Sequence, residues 1–204
     1  MSNIKDVAAL AGVSVTTVSR VLNKRGYISK EVYAKVYDAM EQLDYQPNQI
    51  ARSLYSQKTN CVGVLIPDVS HPFFAEIVKR IEGELNQQGY RIFLCNAVGD
   101  GVREQEYLSM LRQNKVDGII IATHMLETSL YESLDLPIVA LDLELGESIP
   151  TVCADHEKGG RLAAQELIRS GCRCVLNVGG NMDVKTPSIR RYRACEAMLR
   201  EAGV

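Results

Sequence analysis

Beyond residue 60 the sequence alternates between two kinds of segment. Short apolar runs, CVGVLI, YRIFLC, DGIII, PIVAL and CRCVLNV, are separated by helical-period stretches near Phe73–Gln88, Val102–Gln113, Leu126–Ser133, Glu157–Ser170 and Ile189–Glu201. A strand covered on both faces reads as a continuous apolar run. Strand and helix in alternation predict a doubly wound parallel sheet. With no tryptophan and three phenylalanines, its core must be mostly aliphatic. The 204 residues are 46 % apolar and 24 % charged, ordinary globular usage. No apolar run is long enough to span a bilayer. The start, MSNIKDVAAL, carries charges where a secretory signal has its apolar region. Membrane, secreted and disordered classes are excluded on this reading, and a cytoplasmic location is expected.

Residues 1–56 follow a different pattern, that of helices joined by short turns. Asn3 is an N-cap with Asp6 three residues on, and Ile4, Val7, Ala8 and Ala11 recur at helical spacing. Gly12 ends that segment. Ser14 caps a second, with Val18, Val21 and Leu22 as its buried stripe, and Ser29 caps a third reaching about Leu43. Asn48–Ser56 is a possible fourth, too short to hold as an isolated helix in water. The domains expected are a helix-turn-helix at 1–46, a hinge and linker at 47–60, one lobe at 61–156 and the start of a second at 157–204.

A helix, a tight glycine-containing turn and a second helix form the architecture that places the second helix in a DNA major groove. With Val18, Val21 and Leu22 inward, Thr16, Arg20 and Asn23 share an outer face, flanked by Thr17 and Ser19. Arg20 can fork onto guanine, and Val15 can touch a thymine methyl. The competing reading is a helical interaction module whose polar residues are merely solvated. Residues 1–60 carry eight Lys/Arg against five Asp/Glu and the remainder fifteen against twenty, a basic head on an acidic body. The Asn48–Ser56 segment is either a disordered linker or a helix that folds on DNA. In the second case Leu54 can wedge between base steps, with Arg52 near the backbone.

Chemistry of other kinds finds little support. No glycine-rich phosphate loop or nucleophile elbow follows an apolar run, so no enzyme is expected. His71, His124 and His156 lack metal-ligand spacing, and His71-Pro72 reads as a turn and helix start. Cys61, Cys95 and Cys153 sit in or beside apolar runs and read as small buried hydrophobes, while Cys172 and Cys174 lack a zinc-knuckle gap. Neither a metal nor a cofactor is expected.

IKDVAALAGVSVTTVSRVLN, followed by YQPNQIARSL, resembles the start of the lactose-repressor (LacI) family of transcription regulators. VGVLIPDVSHPFFAEIVKRIE, NAVGDGVREQEYLSML and NKVDGIII continue that resemblance, from Asn3 to Val204. It implies an all-α helix-turn-helix headpiece joined to an α/β, periplasmic-binding-protein-like effector domain. Family members normally continue well beyond this point, so an incomplete effector domain is implied. Operator DNA, a small sugar effector and a second copy of the full-length chain are the implied partners.

Carried onto this sequence, the resemblance makes Val15, Thr16 and Arg20 the base-reading candidates and Leu54 the intercalating one, with Ala51 beside it. Thr17, Ser19, Asn23 and Tyr45 become phosphate-contact candidates. Phe73 matches a position that stacks on the effector, and Asp142 and Arg191 match positions that hydrogen-bond it. Asp155 is a weaker candidate. Core packing is the alternative for Phe73, and capping the next segment the alternative for Asp142. Ala194 and Cys195 stand where members often have glycine and an aromatic, so packing behind Arg191 is expected to differ. The stretch SLDLPIVALDLELGESIPTVCADHEKGGRLAA is most similar to sucrose-operon repressors, with ribose repressors next. Alternatives are a catabolite-control regulator answering to a phosphoprotein and a sugar-binding protein with no DNA role.

Overall fold

The computed structural model describes residues 2–23, 25–46, 58–97, 100–123, 126–179 and 186–204. The expected hinge helix, with Ala51, Arg52 and Leu54, lies outside the described residues. The chain divides into two compact units, Met1–Thr59 and Asn60–Val204.

The first unit contains α1 (Ile4–Ala11), α2 (Val15–Leu22) and α3 (Lys30–Gln42). Asn3 and Asp6 form a reciprocal capping box: Asn3 Oδ1 accepts from the Asp6 amide at 3.3 Å, and also from the Lys5 amide at 2.8 Å, while Asp6 Oδ2 accepts from the Asn3 amide at 2.8 Å. Gly12 ends α1 at φ 66°, a left-handed conformation that glycine adopts without a Cβ clash. Ser14 and Ser29 cap α2 and α3 as expected. Val7, Ala8, Ala11, Val18, Val21, Val36 and Ala39 form the core. Burying each valine contributes about 1.5–2 kcal/mol, and a unit this small has little to spare.

The second unit contains β1 (Cys61–Ile66), α4 (Pro72–Gln87), β2 (Arg91–Asn96), α5 (Gly101–Gln113), β3 (Gly118–Ile121), α6 (Thr128–Glu132), β4 (Ile138–Leu141), β5 (Thr151–Val152), α7 (His156–Arg169) and α8 (Ser188–Glu201). The five strands are parallel in the order β2-β1-β3-β4-β5. Alternate residues face opposite layers. Val64, Ile66 and Ile120 meet Phe74, Val78 and Ile81 of α4, whereas Leu65, Ile119 and Ile121 meet Leu108 and Leu111 of α5. Both faces of the central strands β1 and β3 are therefore covered, the doubly wound arrangement expected from the apolar runs, whereas Phe93 and Leu94 of the edge strand β2 stay exposed. Among the described residues no helix is long and apolar enough to cross a membrane.

Two expectations need correction. CRCVLNV, expected as a strand, has no strand conformation, and Leu176 and Val178 are 88 % and 84 % exposed. A strand exists through its neighbour's hydrogen bonds, and among the described residues none lies alongside this run. Cys153, expected to be buried, is exposed because it follows the sheet's edge strand β5. Cys95 is buried, and burial pushes its thiol up to about 11.

One buried polar cluster sits in the larger core. Glu104 of α5 is fully buried and accepts from Thr123 Oγ1 at 2.9 Å and from the Tyr131 hydroxyl of α6. It ties two helices to the segment after β3. Burial, and then the hydrogen bond to Glu104, raises the Tyr131 phenol above its ordinary value. The folded state holds this proton where the unfolded chain loses it. The resulting stability is complete below about pH 10 and declines as pH rises further. Tyr131→Phe should lower stability by about 1–3 kcal/mol near neutral pH. Its urea midpoint should also fall less between about pH 9 and 11 than that of the unaltered chain. Equal slopes would show that this phenol does not govern the alkaline limb.

Candidate nucleic-acid interface and ligand crevice

In the first unit, the turn after Gly12 sets which face of α2 remains open. The Val13 amide donates to the Ala8 carbonyl at 3.0 Å, and the Thr17 amide to Ser14 Oγ at 3.1 Å. With Val18 and Val21 fully buried, Val15 is 40 % exposed, and Thr16, Arg20 and Asn23 lie on the open side. The base-reading candidates Val15, Thr16 and Arg20 and the phosphate-contact candidate Asn23 thus share one exposed surface. Thr17 and Ser19 are half-buried and already engaged: the Thr17 hydroxyl pairs with Ser14 Oγ, and Asn23 Nδ2 donates to Ser19 Oγ at 3.4 Å as well as to its carbonyl at 2.9 Å. Tyr45 is half-buried against the unit's core, held by its amide's bond to Met40 O at 2.9 Å. Its ring therefore braces α1–α3 as well as being a phosphate-contact candidate.

In the second unit, the strand order 2-1-3 reverses direction between β1 and β3, and crevices form outside the carboxyl ends of strands at such a point. His71 caps α4 through Nδ1, accepting from the Phe73 amide at 3.2 Å, with Pro72 as the first helical residue. Phe74 then enters the core, while Phe73 stays 47 % exposed, edge-to-face on Phe74 at 5.2 Å. Simple core packing does not describe Phe73. The loop before it is pinned: Asn96 Oδ1 accepts from the Val69 amide at 3.1 Å, and Asp68 accepts from Ser70. Those Ser70 bonds, backbone first, hold the Asp68 carboxyl below its usual range.

Asp142 follows β4, two strands from β1 on the same edge of the sheet, a spacing of about 10 Å. Its φ of 56° is left-handed, uncommon outside glycine though tolerated by Asp. Its amide continues the pairing with β5 through Val152 O at 2.8 Å. The Asp142 carboxylate does not cap the next helix. Asp155 does, accepting from the Lys158 amide at 2.9 Å, and Asp142 instead meets His156. The sequence offers His156 no metal-ligand spacing, and its contact is with a carboxylate instead. Its signal in the sequence was its place beside the capping aspartate at a helix start.

Arg191 is exposed on α8, and its backbone lies hard against α7. A Cβ on Gly160 would sit 2.1 Å from the Arg191 carbonyl oxygen and 3.1 Å from Ala194 Cβ. The small Ala194 thus suits the glycine opposite, and Cys195 is buried with Ala164 and Leu199. Arg190 donates to Glu144, which connects α8 to the segment after β4. Both groups are more than half exposed, so that pair orients more than it stabilises. Asp142, Asp155 and the backbone of Arg191 all meet elements that begin or border α7. Phe73 reaches the same sheet edge from β1.

Gly160→Ala meets a backbone atom and no side-chain rotation relieves it. It should cost about 1–3 kcal/mol in thermal or urea unfolding and shift the backbone amide signals of Arg191 and Tyr192. Gly83→Ala, in mid-helix with nothing within 4 Å of its Cβ, should instead be neutral or stabilising by up to about 1 kcal/mol. A harmless Gly160→Ala would contradict the close approach.

Two family models match this chain. Bacterial regulatory proteins of the lacI family cover residues 3–48, and periplasmic binding proteins and the sugar-binding domain of the LacI family cover 59–204. A ribose operon repressor from Halalkalibacterium halodurans is 43 % identical over all of the chain, which covers 61 % of that protein. A sucrose operon repressor from Streptococcus mutans is 39 % identical over all of the chain, which covers 64 % of that protein. The chain therefore spans about three-fifths of the length of these curated relatives. Among solved structures, a lac repressor dimer bound to operator and the anti-inducer ONPF superposes with a TM-score of 0.85 at 25 % identity, covering 100 % of this chain and 63 % of that one. A regulator from Alkaliphilus metalliredigens complexed with D-xylulofuranose gives 0.65 at 32 % identity, covering 70 % and 53 %. With matching models along most of its length and relatives near 40 % identity, the chain belongs to the LacI family, a helix-turn-helix unit followed by part of a periplasmic-binding-protein-like domain.

Proposed function

We propose that this chain is the operator-reading and effector-sensing portion of a dimeric, cytoplasmic repressor of a sugar-utilisation operon. The observation that carries the reading is the face of α2 left open by the packing of Val18 and Val21, with Val15, Thr16, Arg20 and Asn23 exposed together. Arg20 is the guanine reader, and Thr16 offers a hydroxyl and a methyl. Val15 reports only a methyl contact. Thr17, Ser19, Asn23 and Tyr45 orient the unit on phosphates without specifying sequence. Ala51, Arg52 and Leu54 form the minor-groove segment, Leu54 inserting between base steps. Two copies read a near-palindromic site.

The effector of this reading is a small polyhydroxylated molecule. Phe73 supplies an exposed aromatic face, while Asp142 and Arg191 supply an acceptor and a forked donor suited to neighbouring hydroxyls, with Asp155 at the margin. The relatives named for ribose and sucrose operons and the neighbour holding D-xylulofuranose support this class. Ligand between two lobes shifts the hinge between ordered and frayed states, and DNA affinity follows by linkage.

Titration of fluorescent palindromic and random DNA at about 50 and 200 mM salt tests the DNA role. Arg20→Ala should weaken the preferred site by about ten- to one-hundred-fold and leave random DNA almost unchanged, since one bidentate base contact is worth about 1–3 kcal/mol. Leu54→Ala should weaken the palindrome in the same selective way. Equal losses on both DNAs would reduce Arg20 to a phosphate contact. A palindrome bound no better than random DNA by the chain and its full-length form would overturn the repressor reading.

A further inference from the structure

We propose that His156 is a positioning residue for effector recognition, holding one oxygen of Asp142 so that the other is presented as the acceptor for a ligand hydroxyl. The inference rests on the reading of Asp142 as an effector group. It adds a residue that neither the sequence patterns nor the relatives' names assign.

The two side chains come from separate elements. Asp142 is the first residue after β4 and His156 the first residue of α7. His156 Nε2 lies 2.5 Å from Asp142 Oδ1. The imidazole side chain is 5 % exposed and the carboxylate 27 %, so the contact is shielded on the histidine side and open on the aspartate side. Among the described residues, Asp142 Oδ2 has no hydrogen-bond partner. An imidazole whose Nε2–H is committed to a carboxylate has its tautomer fixed, and in return fixes the carboxylate's rotation.

The backbone supports the same arrangement. Asp142 sits at φ 56°, held by its amide's bond to Val152 O at 2.8 Å. A left-handed residue at a strand exit redirects the side chain away from the sheet's alternation and persists only when its surroundings hold it. His156 is fixed in turn because Asp155 caps α7 and the His156 amide donates to Ala154 O at 2.9 Å. The first turns of α7 thus register two candidate ligand groups, Asp142 through His156 and the Arg191 backbone through Gly160. A carboxylate already oriented loses less rotational freedom when it accepts a ligand hydroxyl, and such pre-organisation amounts to about three- to tenfold in affinity.

The test is calorimetric titration of D-ribose, D-fructose and sucrose into the full chain and its His156→Leu, His156→Gln and Asp142→Asn variants. The bound sugar should bind at least about fivefold more weakly to His156→Leu, an apolar replacement that cannot donate. Glutamine, which can donate to the carboxylate, should restore most of the affinity. Long-range proton–nitrogen spectra give a readout independent of the variants' folding: His156 should carry its proton on Nε2, and its signals should move in Asp142→Asn. Unaltered binding in His156→Leu, or a His156 ring with a bare Nε2 near neutral pH, overturns the positioning role alone. Equal weakening by leucine and glutamine also overturns it, reducing His156 to packing. Failure of the unaltered chain to bind any of the three sugars overturns the effector reading on which the proposal stands.

Discussion

A parallel sheet whose central strands β1, β3 and β4 are packed between layers constrains everything else in the larger unit. Each crossover must return the chain to the start of the next strand, so the segments leaving the strands gather on one edge. Leu65, Ile119 and Ile121 on one side and Val64, Ile66 and Ile120 on the other require cover, which α4, α5 and α6 provide. The exposed Phe73 ring and the Asp142 carboxylate stand where those exits lie. Chemistry placed there is free to vary because the packing beneath it is satisfied by aliphatic residues.

The smaller unit works by a related logic with less material. Its core is alanine and valine, so helices can approach closely but little surface is buried. Stability then leans on local devices: the Asn3–Asp6 box, the left-handed Gly12 and the serine caps of α2 and α3. These devices fix the rotation of α2 about its own axis. The polar face is a remainder left by the valines, which is why a small core can present a defined reading surface.

Legibility in the sequence followed interaction range. Caps and turns are local, so Asn3, Gly12, Ser14, Ser29 and His71-Pro72 could be read directly, and helix boundaries fell within about two residues. The four main strands were legible as continuous apolar runs, a pattern that burial on both faces explains for β1, β3 and β4 but not for the edge strand β2, which is largely exposed. CRCVLNV carries the same signature but no partner among the described residues, since pairing is a property of two segments. The two-residue β5 was too short to leave a pattern. Glu104, Tyr131 and Thr123 are 19 and 27 residues apart in pairs, and Asp142 and His156 are 14 apart, so their bonds exist only once the sheet has closed. Each is polar in a place where sequence reading looks for apolar residues or for ligands.

The central claim is that α2, exposed by the packing of the small unit, is the surface that meets DNA. Its most direct test is amide chemical-shift mapping of the nitrogen-labelled chain during titration with a palindromic duplex. The account predicts that the largest shifts fall on Val15–Asn23, while the buried amides of Val7, Val36 and Ala39 stay in place. Shifts concentrated on the outer face of α3, or on the arginines of α7 and α8, would contradict it.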